Sequence, residues 1–183
     1  MKKLLLLFAF LPVMALAQSF IVTPNGLQNA KDSTISYVVL PFEGQTSEQL
    51  YNKTIKYINE VMRTPNASKK GDIKNEYVRF TTFVPSMFAY KNVWVKLPVD
   101  GTYDTELKFK DGKVKFEFVA VEMRIPANGY AVLFSGSTFG QFVIFNNKGK
   151  LIKKDEKNAI ENYFNMQVKQ YVDYMNKKTD DNW

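Results

Sequence analysis

The chain contains no cysteine and no histidine. Without cysteine there is no disulfide, no thiolate nucleophile, no iron–sulfur ligation and no residue to carry the lipid of a bacterial lipoprotein. Without histidine there is no Ser-His-Asp triad, no imidazole acid–base catalyst and no ordinary zinc site. Carboxylate, lysine, tyrosine or serine/threonine chemistry is all that is left. Long hydrophobic runs are also scarce. One occurs, at the start, and no later segment is apolar enough to cross a bilayer.

That first run sits in "MKKLLLLFAFLPVMALAQ". Lys2 and Lys3 make a positive beginning, Leu4 to Val13 an apolar centre, and Ala15-Leu16-Ala17 a small-x-small site before Gln18. This is the layout of a secretory signal peptide, too short for the ~20 residues of a spanning helix. The pattern predicts removal of residues 1–17 and export to the periplasm or beyond, without lipid attachment. Of 183 residues, 166 then remain, enough for one cored domain over 18–178 with 179–183 as a frayed tail. Without Lys2 and Lys3 the basic count falls from 25 to 23 against 18 acids, a net charge of +5. Such an excess mildly favours anionic partners. The charges are scattered, as in "DIKNEYVRF", with no dense basic stripe, so nucleic acid is not an expected partner.

Periodicity supplies the elements. "ISYVVLPF", Ile35 to Phe42, is a short β-branched run that predicts a buried strand. Thr46 followed by Gln49 is a capping-box pattern, and Tyr51, Ile55, Ile58 and Met62 follow at helical spacing with Leu50 and Val61. A helix is expected over Ser47–Arg63, stopped by Pro65. "ASKKGDIKNE" reads as a polar connection. "YVRFTTFV" reads as a strand closed by Pro85-Ser86, and "KNVWVKLP" as another ending at "PVDG".

"TELKFKDGKVKFEFVAVEMRI" alternates apolar and charged residues through Phe118. Asp111-Gly112 predicts a type I′ hairpin turn, which pairs Phe109 with Val114 and Leu107 with Phe116 on one face. Lys108 then meets Lys115 and Glu106 meets Glu117 on the other, a checkerboard suited to water. A slip of one residue would drown Phe109, Phe116 and Phe118, so the register is strongly specified. After Phe118 the apolar parity changes. Either a β-bulge near Phe118-Val119 keeps Val119, Val121, Met123 and Ile125 inside, or the sheet is covered on both faces at that end.

"YAVLF" and "QFVIF" flank "SGSTFG" as short strands joined by a hairpin connection, and "FNNKGKLIKK" turns at Gly149. Ile160, Phe164, Val168, Tyr171 and Met175 form one stripe of a second helix, Asp155–Lys177, with Asp155 at its N-cap and Lys177-Lys178 at its negative end.

These features together predict an α+β domain: a twisted, mainly antiparallel sheet with two helices on one face. "VVLPFEGQTSEQLYNKTIKYINEVM" and "TELKFKDGKVKFEF" resemble an uncharacterised family of exported Gram-negative bacterial proteins with a TATA-binding-protein-like fold. The resemblance spans about Ser36 to Phe118. It implies a β-α-β(4 or more)-α layout, and it implies no activity, cofactor or site. It says nothing about DNA, because function lives in sites rather than folds.

Candidate chemistry is thin. Asp100, Asp104 and Glu106 could gather oxygens around calcium, but their spacing is not that of an EF-hand, and a turn entering a strand explains them. Glu106 and Glu117 could form a glycosidase pair, but a flat strand face beside lysines argues for solvation. "GSTFG" lacks the Gly-Lys-Ser/Thr ending of a phosphate loop. No catalytic residue, metal or cofactor is therefore assigned. Tyr90, Trp94 and Tyr103 lie near predicted loops and are the expected binding residues, as rings that hold sugar or peptide faces. The expected function is a non-enzymatic binding or interaction module, monomeric or weakly dimeric, for an envelope partner, hydrophobic small molecule, glycan or peptide. The alternative is a carboxylate-dependent hydrolase of envelope or extracellular polymers.

Overall fold

The hairpin read from "TELKFKDGKVKFEF" lies at the centre of a five-stranded sheet. The computed structural model describes residues 18–62, 67–91 and 95–177. Its elements are β1 (Phe20–Thr23), β2 (Gly26–Asn29), β3 (Tyr37–Pro41), α1 (Ser47–Glu60), β4 (Ala67–Ile73), β5 (Tyr77–Lys91), β6 (Lys96–Lys110), β7 (Lys113–Arg124), β8 (Val132–Gly136), β9 (Phe142–Asn146) and α2 (Lys154–Asn176). The large sheet is antiparallel in the order β3-β7-β6-β5-β4, and β1-β2 and β8-β9 pair separately. The fold is α+β with two helices, as expected. The proposed leader, the 179–183 tail and Lys178 lie outside the described residues.

The predicted register holds residue for residue: Lys110 faces Lys113, Phe109 faces Val114, Lys108 faces Lys115, Leu107 faces Phe116 and Glu106 faces Glu117. The turn differs from type I′, because Gly112 alone of its two central residues takes positive φ. The turn is held from outside instead. Gly112 N donates to Gln45 O, Phe42 N to Gly112 O, and Ser47 N to the Asp111 carboxylate at 2.7 Å. The loop entering α1 thus fixes the hairpin tip.

The change of parity after Phe118 is a bulge. Asp104 pairs with Val119 and Thr102 with Glu122, leaving one extra residue on β7, and Ala120 takes φ +50° there. Met123 and Ile125 return to the core and Val121 packs against it, whereas Val119 stays half-exposed on the other face.

Several strands extend beyond the sequence boundaries. The polar stretch 67–76 contributes edge strand β4, since pairing with β5 satisfies its backbone while lysines and Asp72 face water. Pro85 does not close β5. The strand shifts register between Val84 and Phe88, with Ser86 at φ +51° donating its N–H to Asp100, and then runs on to Lys91. Likewise β6 passes unbroken through Pro98 and Asp100-Gly101. The short strands β8 and β9 run parallel, so "SGSTFG" is a tight crossover rather than a hairpin connection.

Helix α1 has its capping box: Thr46 accepts from Gln49 N, and Gln49 Oε1 accepts from Thr46 N at 2.9 Å. Of its expected apolar line, Leu50 and Tyr51 are buried, Ile55, Ile58, Val61 and Met62 are half-buried at the flank, and Thr54 and Tyr57 complete the buried face. Thr54 and Tyr57 are admitted because α2 supplies a hydroxyl and a ring to meet them. Helix α2 begins at Lys154 with Lys153 as N-cap, so Asp155 is inside its first turn, where it pairs with Lys91. Its predicted stripe, Ile160 through Met175, is buried throughout.

Both helices cover the same sheet face. Tyr51 meets Phe109 edge-on at 5.7 Å, and Tyr171 and Phe164 meet Phe116, Phe118 and Tyr103. Each fully buried ring is worth roughly 1.5–3 kcal/mol of transfer free energy. The β1-β2 hairpin, which has no counterpart among the predicted elements, closes one end of this core. Asn165 both accepts from Phe20 N and donates to Phe20 O, and Glu161 accepts from Val22 N.

Candidate functional site

Beyond its bulge, β5 carries Tyr90 toward β9. The Tyr90 ring is 5% exposed, its hydroxyl donates to Val143 O at 3.3 Å, and burial pushes its pKa upward. Phe142 meets it edge-on with centroids 5.2 Å apart. Tyr130, placed by the Asn128-Gly129 turn, leans over Phe142 at 5.9 Å with the rings 34° from parallel. Lys153, the N-cap of α2, lies 4.6 Å from the Tyr90 centroid and donates to Lys91 O at 2.5 Å. Together with Gln141 and Ile152 these residues line an open cleft of about 480 Å3.

The cleft has a firm floor. Buried Glu156 accepts from Lys91 N at 2.7 Å, and Asp155 pairs with Lys91 Nζ at the same distance, so the end of β5 is bolted to α2. Its rim is unusually open. Tyr130 is 59% exposed, and Phe139, between the lining residues Thr138 and Gly140 in the β8-β9 crossover, is 91% exposed without lining the cleft itself. Aromatic walls, an amide, a hydroxyl from Thr138 and one ammonium can hold a ring-shaped polar ligand by stacking and hydrogen bonds.

Of the residues singled out in the sequence, Tyr90 lies at the base of this cleft. Trp94 lies outside the described residues. Tyr103 is elsewhere: it is 1% exposed, its hydroxyl meets that of Tyr163 at 2.8 Å, and its ring packs on Phe118 and Phe164. Burial raises its pKa strongly. The expected platform of Tyr90, Trp94 and Tyr103 is therefore corrected at Tyr103, because β6 continues through the region read as a loop and turns Tyr103 into the core. Tyr130, Phe142 and Lys153 were missed. Phe142 lies inside the predicted strand "QFVIF", and Tyr130, directly after Pro126-Ala127-Asn128-Gly129, carries the one local signal among the three.

The acidic candidates occupy the uncovered face of the large sheet. Asp104 is buried and receives Arg79 Nη2 at 2.6 Å, Arg79 Nε at 2.9 Å and the Thr81 hydroxyl, with Lys70 nearby at 3.3 Å. Burial opposes its ionisation, but Thr81, Arg79 and Lys70 together hold its carboxyl below the ordinary range. Arg79 also pairs with Glu106 at 3.0 Å. Asp100 sits further along, accepting from Ser86 N. Glu117 is bound by Ser36 and by Lys115 at 2.9 Å, which lower its pKa against the effect of burial. The three acids considered for calcium are thus divided between Arg79 and a backbone N–H. Among the described residues no group of three or more acids is placed to hold a metal.

The class that fold and site define is a two-layer α+β domain with one bare sheet face and an aromatic cleft beside it. No protein-family model matches the chain, and no curated protein matches it. Two solved structures share the fold. One is a DUF4468 family protein from Bacteroides ovatus, with TM-score 0.54, 10% identity, and 79% of this chain and 86% of that chain covered. The other is a TBP-like protein from Parabacteroides distasonis, with TM-score 0.50, 10% identity, and coverage of 78% and 92%. They support the TATA-binding-protein-like layout at the level of architecture.

Proposed function

We propose that the protein is an exported, non-enzymatic binding module whose cleft at Tyr90, Tyr130 and Phe142 takes a saccharide. The observation that carries this is the solvent-facing ring of Tyr130 tilted over Phe142 in a cleft that Lys153 and Gln141 also line. Sugar faces are apolar on one side and rimmed by hydroxyls, which suits rings flanked by Gln141, Thr138 and Lys153. The acids support a binding role over hydrolysis. A hydrolytic pair needs one carboxyl raised toward neutrality, whereas Asp72, Asp104, Glu117 and Asp155 are all shifted downward by hydrogen bonds and cations.

The test is a titration with soluble neutral and acidic oligosaccharides, including peptidoglycan fragments, followed by amide chemical shifts. Binding is expected to move signals at Tyr130, Gln141, Phe142 and Lys153, and Tyr130→Ala is expected to weaken it about tenfold or more. Shifts elsewhere, or a Tyr130→Ala variant with unchanged affinity, would overturn the assignment. Turnover of any oligosaccharide would replace it with an enzyme.

A further inference from the structure

The register of β6 and β7 builds something that the linear sequence disguises. Lys108 lies directly opposite Lys115, and Lys110 directly opposite Lys113, all four on the sheet face that neither helix covers. Opposed residues have Cβ atoms about 5 Å apart, and next-but-one residues on a strand lie about 7 Å apart. The four lysines therefore spring from a compact two-by-two block of backbone positions, with Lys115 leaning toward β3 and Lys108 toward β5. Like charges placed directly opposite destabilise a sheet. Lys115 is relieved by Glu117 at 2.9 Å and lies 3.9 Å from the Tyr37 centroid. Lys108 leans toward Tyr77 at 5.9 Å. Among the described residues no ion pair involves Lys108, Lys110 or Lys113.

The surrounding acids offset the block only in part, through Glu117 at Lys115. Glu106 is turned to Arg79, Glu117 is shared between Lys115 and Ser36, and Asp111 is tied to Ser47 N on the helix side. The same cross-strand row continues outward through Tyr77 to Ile73, which is 55% exposed, and on the other side through Val39. Lysines flanked by tyrosine and an exposed aliphatic residue on a flat face have the composition of a bilayer interface.

We infer that this corner of the bare sheet face docks the protein on an anionic lipid surface, with the lysine block against phosphate headgroups and Ile73 and Tyr77 at the interface. A block suits a two-dimensional array of headgroups, whereas a linear polyanion is better served by a track of cations. Each lysine near such a surface contributes about fivefold in partitioning, and the attraction is screened by salt.

Flotation of the full chain with vesicles tests it. Vesicles of about one-third phosphatidylglycerol in phosphatidylcholine should bind the protein at about 0.1 M salt and release it as salt rises. Replacing Lys108, Lys110, Lys113 and Lys115 by Gln should weaken binding at least about a hundredfold, the cumulative effect of four such contributions. A charge-matched control, Lys56, Lys148, Lys150 and Lys154 to Gln, changes exposed lysines elsewhere and should bind as the parent does. Thermal melts confirm that both variants fold, and any leader is common to all three proteins. Equal losses in both variants, or parental binding by the block variant, would overturn the inference. So would capture by soluble dextran sulfate without capture by vesicles, which would assign the block to a free polyanion.

Discussion

Tyr171, in the last third of α2, places its hydroxyl 2.7 Å from the Thr54 hydroxyl on α1, in a space closed to water. Thr54 also donates to Leu50 O at 2.8 Å, so its single proton is spent and Tyr171 is the donor between them. The two changes are therefore unequal. Thr54→Val strands a buried phenol and is expected to cost about 1–3 kcal/mol. Tyr171→Phe leaves Thr54 with its backbone partner and is expected to cost less. Urea unfolding of both singles and the double variant checks this, and the double should fall short of the sum.

Asp104 makes stability depend on acid. Its carboxyl titrates below its unfolded value, so the unfolded chain binds more protons in that range. The stabilisation is complete above the unfolded Asp value of about 4 and is lost as pH falls through the lower folded value. At neutral pH Asp104→Asn is expected to cost about 2–3 kcal/mol, since hydrogen bonds to charged groups are the strong ones. The gap between variant and parent should close as pH falls below about 4. Thermal melts across that range measure it, and a constant gap would contradict the pairing with Arg79.

At the β7 bulge Ala120 takes φ +50°, a left-handed conformation that costs a non-glycine residue about 1–2 kcal/mol. Ala120→Gly is expected to raise the urea midpoint, and Ala120→Val to lower it. If the bulge moved elsewhere in solution, neither change would follow that order.

Gly101 is buried on β6 opposite the irregular stretch of β5, and a methyl group there would stand 2.7 Å from Met87 Sδ. Met87 is half-buried and its thioether can turn aside, so Gly101→Ala is expected to cost about 1 kcal/mol or less through overpacking. Met87→Ala in the same chain should restore part of it, as read by denaturant midpoints.

Much of the framework was readable before any coordinates. The strict alternation from Glu106 to Phe118 left one register that hides Phe109, Phe116 and Phe118, and the stripe from Ile160 to Met175 left one face for α2 to bury. Thr46 and Gln49 marked the start of α1 by chemistry local to a single turn. Strand ends were harder. Pro85, Pro98 and the polar 67–76 segment look like boundaries, yet a long antiparallel neighbour satisfies their backbones and carries the strands through.

The candidate site was barely readable, for a related reason. Tyr90 was visible as an aromatic near a loop, but its partners Tyr130, Phe142 and Lys153 come from three other parts of the chain. Periodicity reports on which face of one element is buried, and it determined the two layers and the central hairpin. Which rings share a cleft, which acids an arginine silences and which lysines stand opposite one another depend on contacts between residues far apart in sequence. Those were decided by the packing of the finished fold, because burial and charge act through space.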